Sequence, residues 1–111
     1  MYNKTIKTIL RKEKAKGIIN LELVSDAKMR ELNQKFRHKD KTTDVLSFYM
    51  GEEGVLGDIA ISPDEVRENA RRYGVSVRQE MKRMVIHGVL HLCGYEHGKK
   101  MRDAEKIYQK L

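Results

Sequence analysis

The sequence has no tryptophan, one cysteine and one proline. Each scarcity excludes something. A single cysteine, Cys93, cannot form an intrachain disulfide and fits a reducing compartment, the cytosol. With two Phe, five Tyr and no Trp, a broad base-stacking platform is not evident. No apolar run is long enough for a signal peptide or a membrane span. Ile6, Ile9 and Leu10 are interleaved with Lys and Arg, a pattern shared by membrane-surface helices and by helices that dock on a core. Docking is the reading adopted, with no membrane partner. No internal repeat or linker interrupts the chain, and Pro63 stands at a helix start, so residues 1–111 are expected to form one domain.

Charge is plentiful. Charged residues make up 35% of the chain, and 23 Lys+Arg against 16 Asp+Glu leave a formal charge of +7. Such a surplus concentrates a polyanion near the surface and speeds its encounter. RNA, DNA or an anionic membrane would each serve, and charge alone is equally compatible with a solvated basic surface.

Hydrophobic periodicity supplies the elements. A helix is expected from Asn3 to Lys16, stopped by Gly17. A strand follows from Ile18 to Val24, with Ile19, Leu21 and Leu23 on one face. A second helix begins after Ser25 and turns Met29, Leu32 and Phe36 to the core. Residues 37–44 read as a loop. Val45–Met50 and Val55–Ser62 read as a hairpin around a Gly51–Gly54 turn. Ser62-Pro63-Asp64-Glu65 and Ser76-Val77-Arg78-Gln79 both carry the capping-box pattern of a helix start. The helices they open end at Gly74 and Gly94, and a last one over about 99–111 carries Met101, Ala104, Tyr108 and Leu111. The expected fold is α+β: a small mixed sheet of three or four strands with about five helices.

The chemistry is concentrated between His87 and His97. His87 and His91 are four apart on the fourth helix, so both rings share one face and can share one metal. Gly94 suits a left-handed helix stop, after which the chain turns back and His97 can reach the same ion. Three imidazoles without an obvious fourth ligand are the pattern of a catalytic zinc with an open position for water. Cys93 beside Leu92 reads as core packing rather than as a ligand. The spacing is metzincin-like, H-x3-H-x5-H, yet the protease's catalytic Glu after the first His is here Gly88. Without that general base a peptidase is disfavoured. Gly88 serves either the close approach of a neighbouring element or of substrate, or plain helix packing.

These residues resemble a known family. His87-Gly88-Val89-Leu90-His91-Leu92-Cys93-Gly94-Tyr95-Glu96-His97 is similar to the signature H-G-x-L-H-L-x-G-Y-[DE]-H of the YbeY family of bacterial rRNA-maturation endoribonucleases. A block from Leu32-Asn33 through Phe36-Arg37, Asp40 and Thr43-Asp44-Val45-Leu46-Ser47-Phe48 resembles a second family motif, and Leu56-Gly57-Asp58-Ile59 a third. The resemblance implies a single-strand-specific, zinc-dependent endoribonuclease, a cytoplasmic hydrolase acting in 16S rRNA 3′-end maturation and ribosome quality control. It implies one Zn2+ per chain on His87, His91 and His97. Its implied partners are single-stranded rRNA and the small ribosomal subunit with its proteins. It also implies a phosphate contact at Arg37, where a guanidinium can pair bidentately with the substrate. Arg37 and His91 are thus the catalytic candidates and Arg37 and Lys41 the substrate-binding ones. Asp44, Asp58 and Glu96 are candidates to orient a ligand histidine, although Asp58 on a strand equally suits a solvent-facing place. His38 beside Arg37 suits a surface position or an acid–base role.

Thr42 and Tyr49 stand where the family's blocks carry proline, which predicts a less rigid loop and strand end. Against most members the chain is expected to be shorter, without a strand before the first helix and without part of the C-terminal tail, leaving a sheet edge able to pair with another chain. Two further readings stand beside RNA cleavage: a zinc hydrolase of another substrate class, and a ribosome assembly factor with a structural metal and little activity. The nucleophile, water or a ribose 2′-OH, is open at this level.

Overall fold

A 16-residue helix, α4 (Val77–Leu92), is the element against which most of the others pack. The computed structural model describes residues 2–111. In chain order the elements are α1 (Asn3–Lys12), β1 (Ile18–Leu23), α2 (Asp26–Arg37), β2 (Val45–Glu52), β3 (Val55–Ile61), α3 (Pro63–Tyr73), α4 and α5 (Lys99–Tyr108). α4 is set off at its start by a reciprocal cap: Ser76 Oγ accepts the Gln79 N–H at 3.0 Å and Gln79 Oε1 accepts the Ser76 N–H at 3.0 Å. Beyond that turn it is apolar on nearly every side, because α1, α3, α5 and the sheet surround it. Val85, Ile86, Val89 and Leu90 are all fully buried.

The described strands form one mixed sheet in the order β1-β3-β2, with β1 parallel and β2 antiparallel to β3. The expected α+β class, with three strands and five helices, is what the chain adopts. Alternation along β3 divides its side chains between two layers. Ile59 and Ile61 join the main core with α4, whereas Ala60 lies with Leu46, Val24 and Met29 under α2. Ile6 and Ile9 of α1 are buried in the main core, as a docking helix requires. No described helix is long and apolar enough to cross a membrane.

Several local expectations are corrected. α1 ends at Lys12, not Lys16, because Lys14 takes a left-handed conformation (φ 57°) and Ala15 N–H returns to the Leu10 carbonyl at 2.9 Å. The hairpin turn narrows to Glu53-Gly54, with Gly51 and Glu52 kept in the strand by a register shift between Tyr49 and Glu52. Ser62 makes only half of the expected box: its hydroxyl accepts the Glu65 N–H, while its own N–H is engaged by the Asp44 carbonyl at 2.9 Å. Phe36 is exposed rather than in the core. On α2 the buried neighbour is Asn33, whose side-chain amide donates to the Lys41 carbonyl at 2.9 Å and ties down the loop before β2.

Candidate metal centre

α4 delivers His87 and His91 from consecutive turns on the side facing the β2 end of the sheet. Gly88 between them lies hard against that sheet. A Cβ there would come within 2.9 Å of Ile59 Cγ2 and 3.2 Å of Ser47 Oγ, and Ser47 Oγ donates to the Gly88 carbonyl at 3.1 Å. Close packing of a neighbouring element therefore accounts for this glycine, and no carboxylate side chain fits at the position. After α4 the Tyr95 N–H closes on the Leu90 carbonyl at 3.0 Å and Gly94 takes φ +100°. The chain turns back there and presents His97 to the other two rings. Ring centroids are 4.6 Å apart for His87–His91, 4.6 Å for His91–His97 and 5.2 Å for His87–His97.

One nitrogen from each ring lies within 4.8 Å of the others. The tautomers follow from the acceptors. His87 Nδ1 faces Glu105 Oε1 at 2.5 Å, and His91 Nδ1 faces the Tyr95 carbonyl at 3.0 Å. A carboxylate and a carbonyl can only accept, so in both rings Nδ1 carries the proton. The two Nε2 lone pairs then face one another at 3.1 Å, a repulsive arrangement that a cation between them relieves. Two nitrogens on a tetrahedral zinc stand about 3.3 Å apart, given Zn–N distances of about 2.0–2.1 Å. The donor set therefore fits a metal such as zinc. Burial, and then the neighbouring His87, holds the His91 imidazole below its ordinary pKa, with His97 and Arg37 adding to the effect and the Tyr95 carbonyl opposing it. The result favours the neutral ring that a metal ligand must be.

The three histidines open into a cavity of about 440 Å³. Arg37, at the end of α2, lines it together with Lys39, Lys41 and Asp44 from the following loop. The loop is anchored by Asn33 and by Arg30, which pairs with Asp40 through two bonds of 2.7 and 3.1 Å and holds that carboxyl below its usual range. Arg37 and Lys41 thus share a wall with the histidines.

The carboxylates expected to orient the ligands are placed otherwise. Asp44 lies in the cavity wall but accepts from Val45 N–H at 2.8 Å and from Asn69 Nδ2 at 2.9 Å. It organises the start of β2 rather than a histidine. Asp58 pairs across the sheet with Asn20, its Oδ1 accepting at 3.0 Å. Alternation puts it on the face away from α4. Glu96 is exposed, and His38 caps α2 in a left-handed conformation outside the cavity lining. Cys93 is half-buried against the main core, its thiol pushed up to about 11 by burial, with Glu13 adding to it, and it is not part of the ligand group.

The carboxylate that does orient one of the three histidines is Glu105 of α5, eighteen residues beyond His87. It is buried between Ala104 and Tyr108 on the apolar stripe of its helix. A carboxylate on a stripe that otherwise packs into the core was the available signal. A second buried acid, Glu80, is held by Arg83 at 2.7 and 2.8 Å and by Asn69, which bridges it to Asp44.

Comparison with known proteins places this arrangement. The family model described as Endoribonuclease YbeY matches residues 1–110. A curated protein of that name from Aquifex aeolicus is 46% identical over 105 residues, covering 87% of this chain and 69% of the relative. Another from Thermotoga maritima is 40% identical over 105 residues, covering 95% of this chain and 70% of the relative. A solution structure of a Thermotoga maritima protein matches 96% of this chain and 75% of its own, at 40% identity and a TM-score of 0.71.

Proposed function

The chain belongs to the YbeY endoribonuclease family, and on that premise we propose that it is a zinc-dependent hydrolase of single-stranded RNA, acting in 16S rRNA 3′-end maturation and in ribosome quality control. The reading places it in the cytoplasm, on the small ribosomal subunit and its proteins. The observation that carries it is the convergence of three imidazoles in a cavity whose wall also holds Arg37, Lys39 and Lys41.

His87, His91 and His97 would hold one zinc ion. When bound, zinc polarises a phosphoryl oxygen and makes water a nucleophile near neutral pH. Glu105 and the Tyr95 carbonyl keep two of the rings turned with Nε2 inward. Arg37 binds the phosphate through its planar fork and offsets the charge that builds on the oxygens during attack. Lys41 and Lys39 hold the flanking phosphates. Gly88 stands where a peptidase would carry its base, and Ile59 and Ser47 occupy the space such a side chain would need. That steric fact weighs against the other hydrolase class.

The test is to purify the protein, quantify zinc, and incubate it with single-stranded and duplex rRNA fragments alongside His91→Ala and Arg37→Ala. The expected result is cleavage of the single strand alone, abolished by His91→Ala and reduced by about 10²-fold or more by Arg37→Ala. Full cleavage by His91→Ala would assign the activity to a contaminant and leave an assembly factor with a structural metal. Undiminished cleavage by Arg37→Ala would remove the phosphate contact.

A further inference from the structure

Among the described residues Tyr49 is the most exposed of the large hydrophobic side chains, at 69%, and it borders the cavity beside the three histidines. Its position follows from strand alternation. Ser47 points at the Gly88 carbonyl on the α4 side of β2, and Tyr49, two residues on, points the same way. Its ring lies over Gly51, where a Cβ would come within 2.6–2.7 Å of the ring and hydroxyl. The absence of a side chain at Gly51 thus lets the ring rest along the strand. The other exposed rings, Phe36 and Tyr73, differ: Phe36 packs on Phe48 on the α2 side, with centroids 5.0 Å apart, and Tyr73 carries the Arg83 guanidinium 5.6 Å from its centroid.

On the far side of Tyr49 and His91 lies a second recess of about 610 Å³, bordered by Lys14 and Lys16. Both lysines are exposed, and Lys14 is held in its left-handed conformation by the end of α1. The one acid on this recess, Glu13, accepts from Tyr95 at 3.0 Å and from Tyr108 at 2.5 Å, so its carboxylate is already engaged. Glu52 and Glu53 line a third depression toward the hairpin tip, which shares Lys16 and Tyr49 with this recess. The two recesses therefore meet at a ridge of one imidazole and one phenol ring, with cations on both sides. That is the layout of a track for a single strand, in which phosphates follow the lysines and an unpaired base lies on the ring.

We infer that Tyr49 is a base-stacking residue of this site, and that Lys14 and Lys16 guide the RNA backbone on the side opposite Arg37. The inference rests on the single-stranded RNA reading above and adds a nucleotide position to it. The occupant is an unpaired RNA segment, since duplex bases are not available to stack.

The experiment is fluorescence anisotropy of a short labelled RNA with the zinc-loaded protein, single-stranded and as a duplex, followed by cleavage of the same RNA. Tyr49→Ala is expected to weaken single-strand binding about tenfold, and Tyr49→Phe by less than about twofold, because stacking needs the ring and not the hydroxyl. The double variant Lys14→Gln/Lys16→Gln is expected to lower the salt slope of binding by about 1.4, as two single-strand phosphate contacts predict. Unchanged binding by Tyr49→Ala overturns the inference, as does an equal loss in Tyr49→Phe, or duplex bound as tightly as single strand. Wild type that cleaves single strands beside a Tyr49→Ala variant with unaltered binding sinks this inference alone. Wild type that neither binds nor cleaves them sinks the proposed function as well.

Discussion

Glu105 accepts the Nδ1 proton of His87 at 2.5 Å from a helix that contributes no ligand of its own. Such a contact fixes the ring's tautomer and raises the basicity of the other nitrogen. Glu105→Gln keeps the size of the side chain but loses the charge, and it is expected to lower zinc affinity by about 10–100-fold in a competition titration against a chelator. Affinity equal to wild type would reduce Glu105 to a packing residue. Cys93 permits a second prediction at this scale. Its thiol is raised from 9.0 to about 11, burial being the main cause and Glu13 the lesser one. Near neutral pH it is therefore almost wholly protonated, and the thiolate is the reactive form. Iodoacetamide should label the native protein far more slowly than the urea-unfolded protein at about pH 8. Equal rates in the two states would contradict the burial argument. Sequence spacing made the three-histidine cluster legible here, because a helical turn and a glycine stop are local. Glu105 was not legible as a partner, because its meeting with His87 depends on how α5 packs on α4.

Between elements, two contacts set the geometry of the site. Gly88 brings α4 onto β2 and β3, and its replacement by Ala places a Cβ 2.9 Å from Ile59. Overpacking of this kind costs about 1–3 kcal/mol, which urea denaturation of Gly88→Ala should show as a lower midpoint. A midpoint equal to wild type would mean that the interface has room to spare. The second contact is Glu13, which accepts hydrogen bonds from the phenols of Tyr95 and Tyr108 and so ties the end of α1 to the α4–α5 turn and to α5. Burial is the first cause that raises both phenols above their ordinary value, and the Glu13 hydrogen bond the next. A raised folded-state pKa gives stability that is whole below the unfolded value of about 10 and lost as pH climbs above it. Urea stability should therefore hold at about pH 8 and fall as pH rises beyond about 10, and Tyr108→Phe should flatten that alkaline decline. An unaltered decline in the variant would assign the loss to other groups. The early end of α1 belongs to this scale too. Its helical pattern continues past Lys12, but a left-handed Lys14 brings the chain round to β1.

At the level of the molecule, the core is built without the metal site. The hydrophobic clusters around α4 and under α2 consist of aliphatic, methionine, alanine and tyrosine side chains, none of them one of the three histidines. Removing zinc should therefore leave the helical and strand content in place and lower the melting temperature by the binding free energy alone. Circular dichroism before and after chelation checks this. Collapse of the far-ultraviolet signal on chelation would show a fold that depends on its ion, as in small zinc modules. Charge also acts at this scale. Of the +7 surplus, the part that bears on the site is the set of cations that α2, its following loop and the end of α1 bring to its two sides.

Periodicity and caps in the sequence by themselves determined the five helices, the hairpin, the α+β class and the grouping of the three histidines, because each is written in residues a few positions apart. The family motifs pointed to RNA by resemblance. Tertiary structure alone decided which carboxylate serves the site. Asp44, Asp58 and Glu96 stand near a ligand or in a family motif, yet strand alternation, the anchoring of β2 and solvent exposure turn them to other partners. Glu105 is selected because α5 lies against α4. Tertiary structure also decided that Gly88 is a packing contact and that Tyr49 stands beside His91. Residues distant in sequence meet only where helices and strands have been packed, and that packing is a property of the whole core.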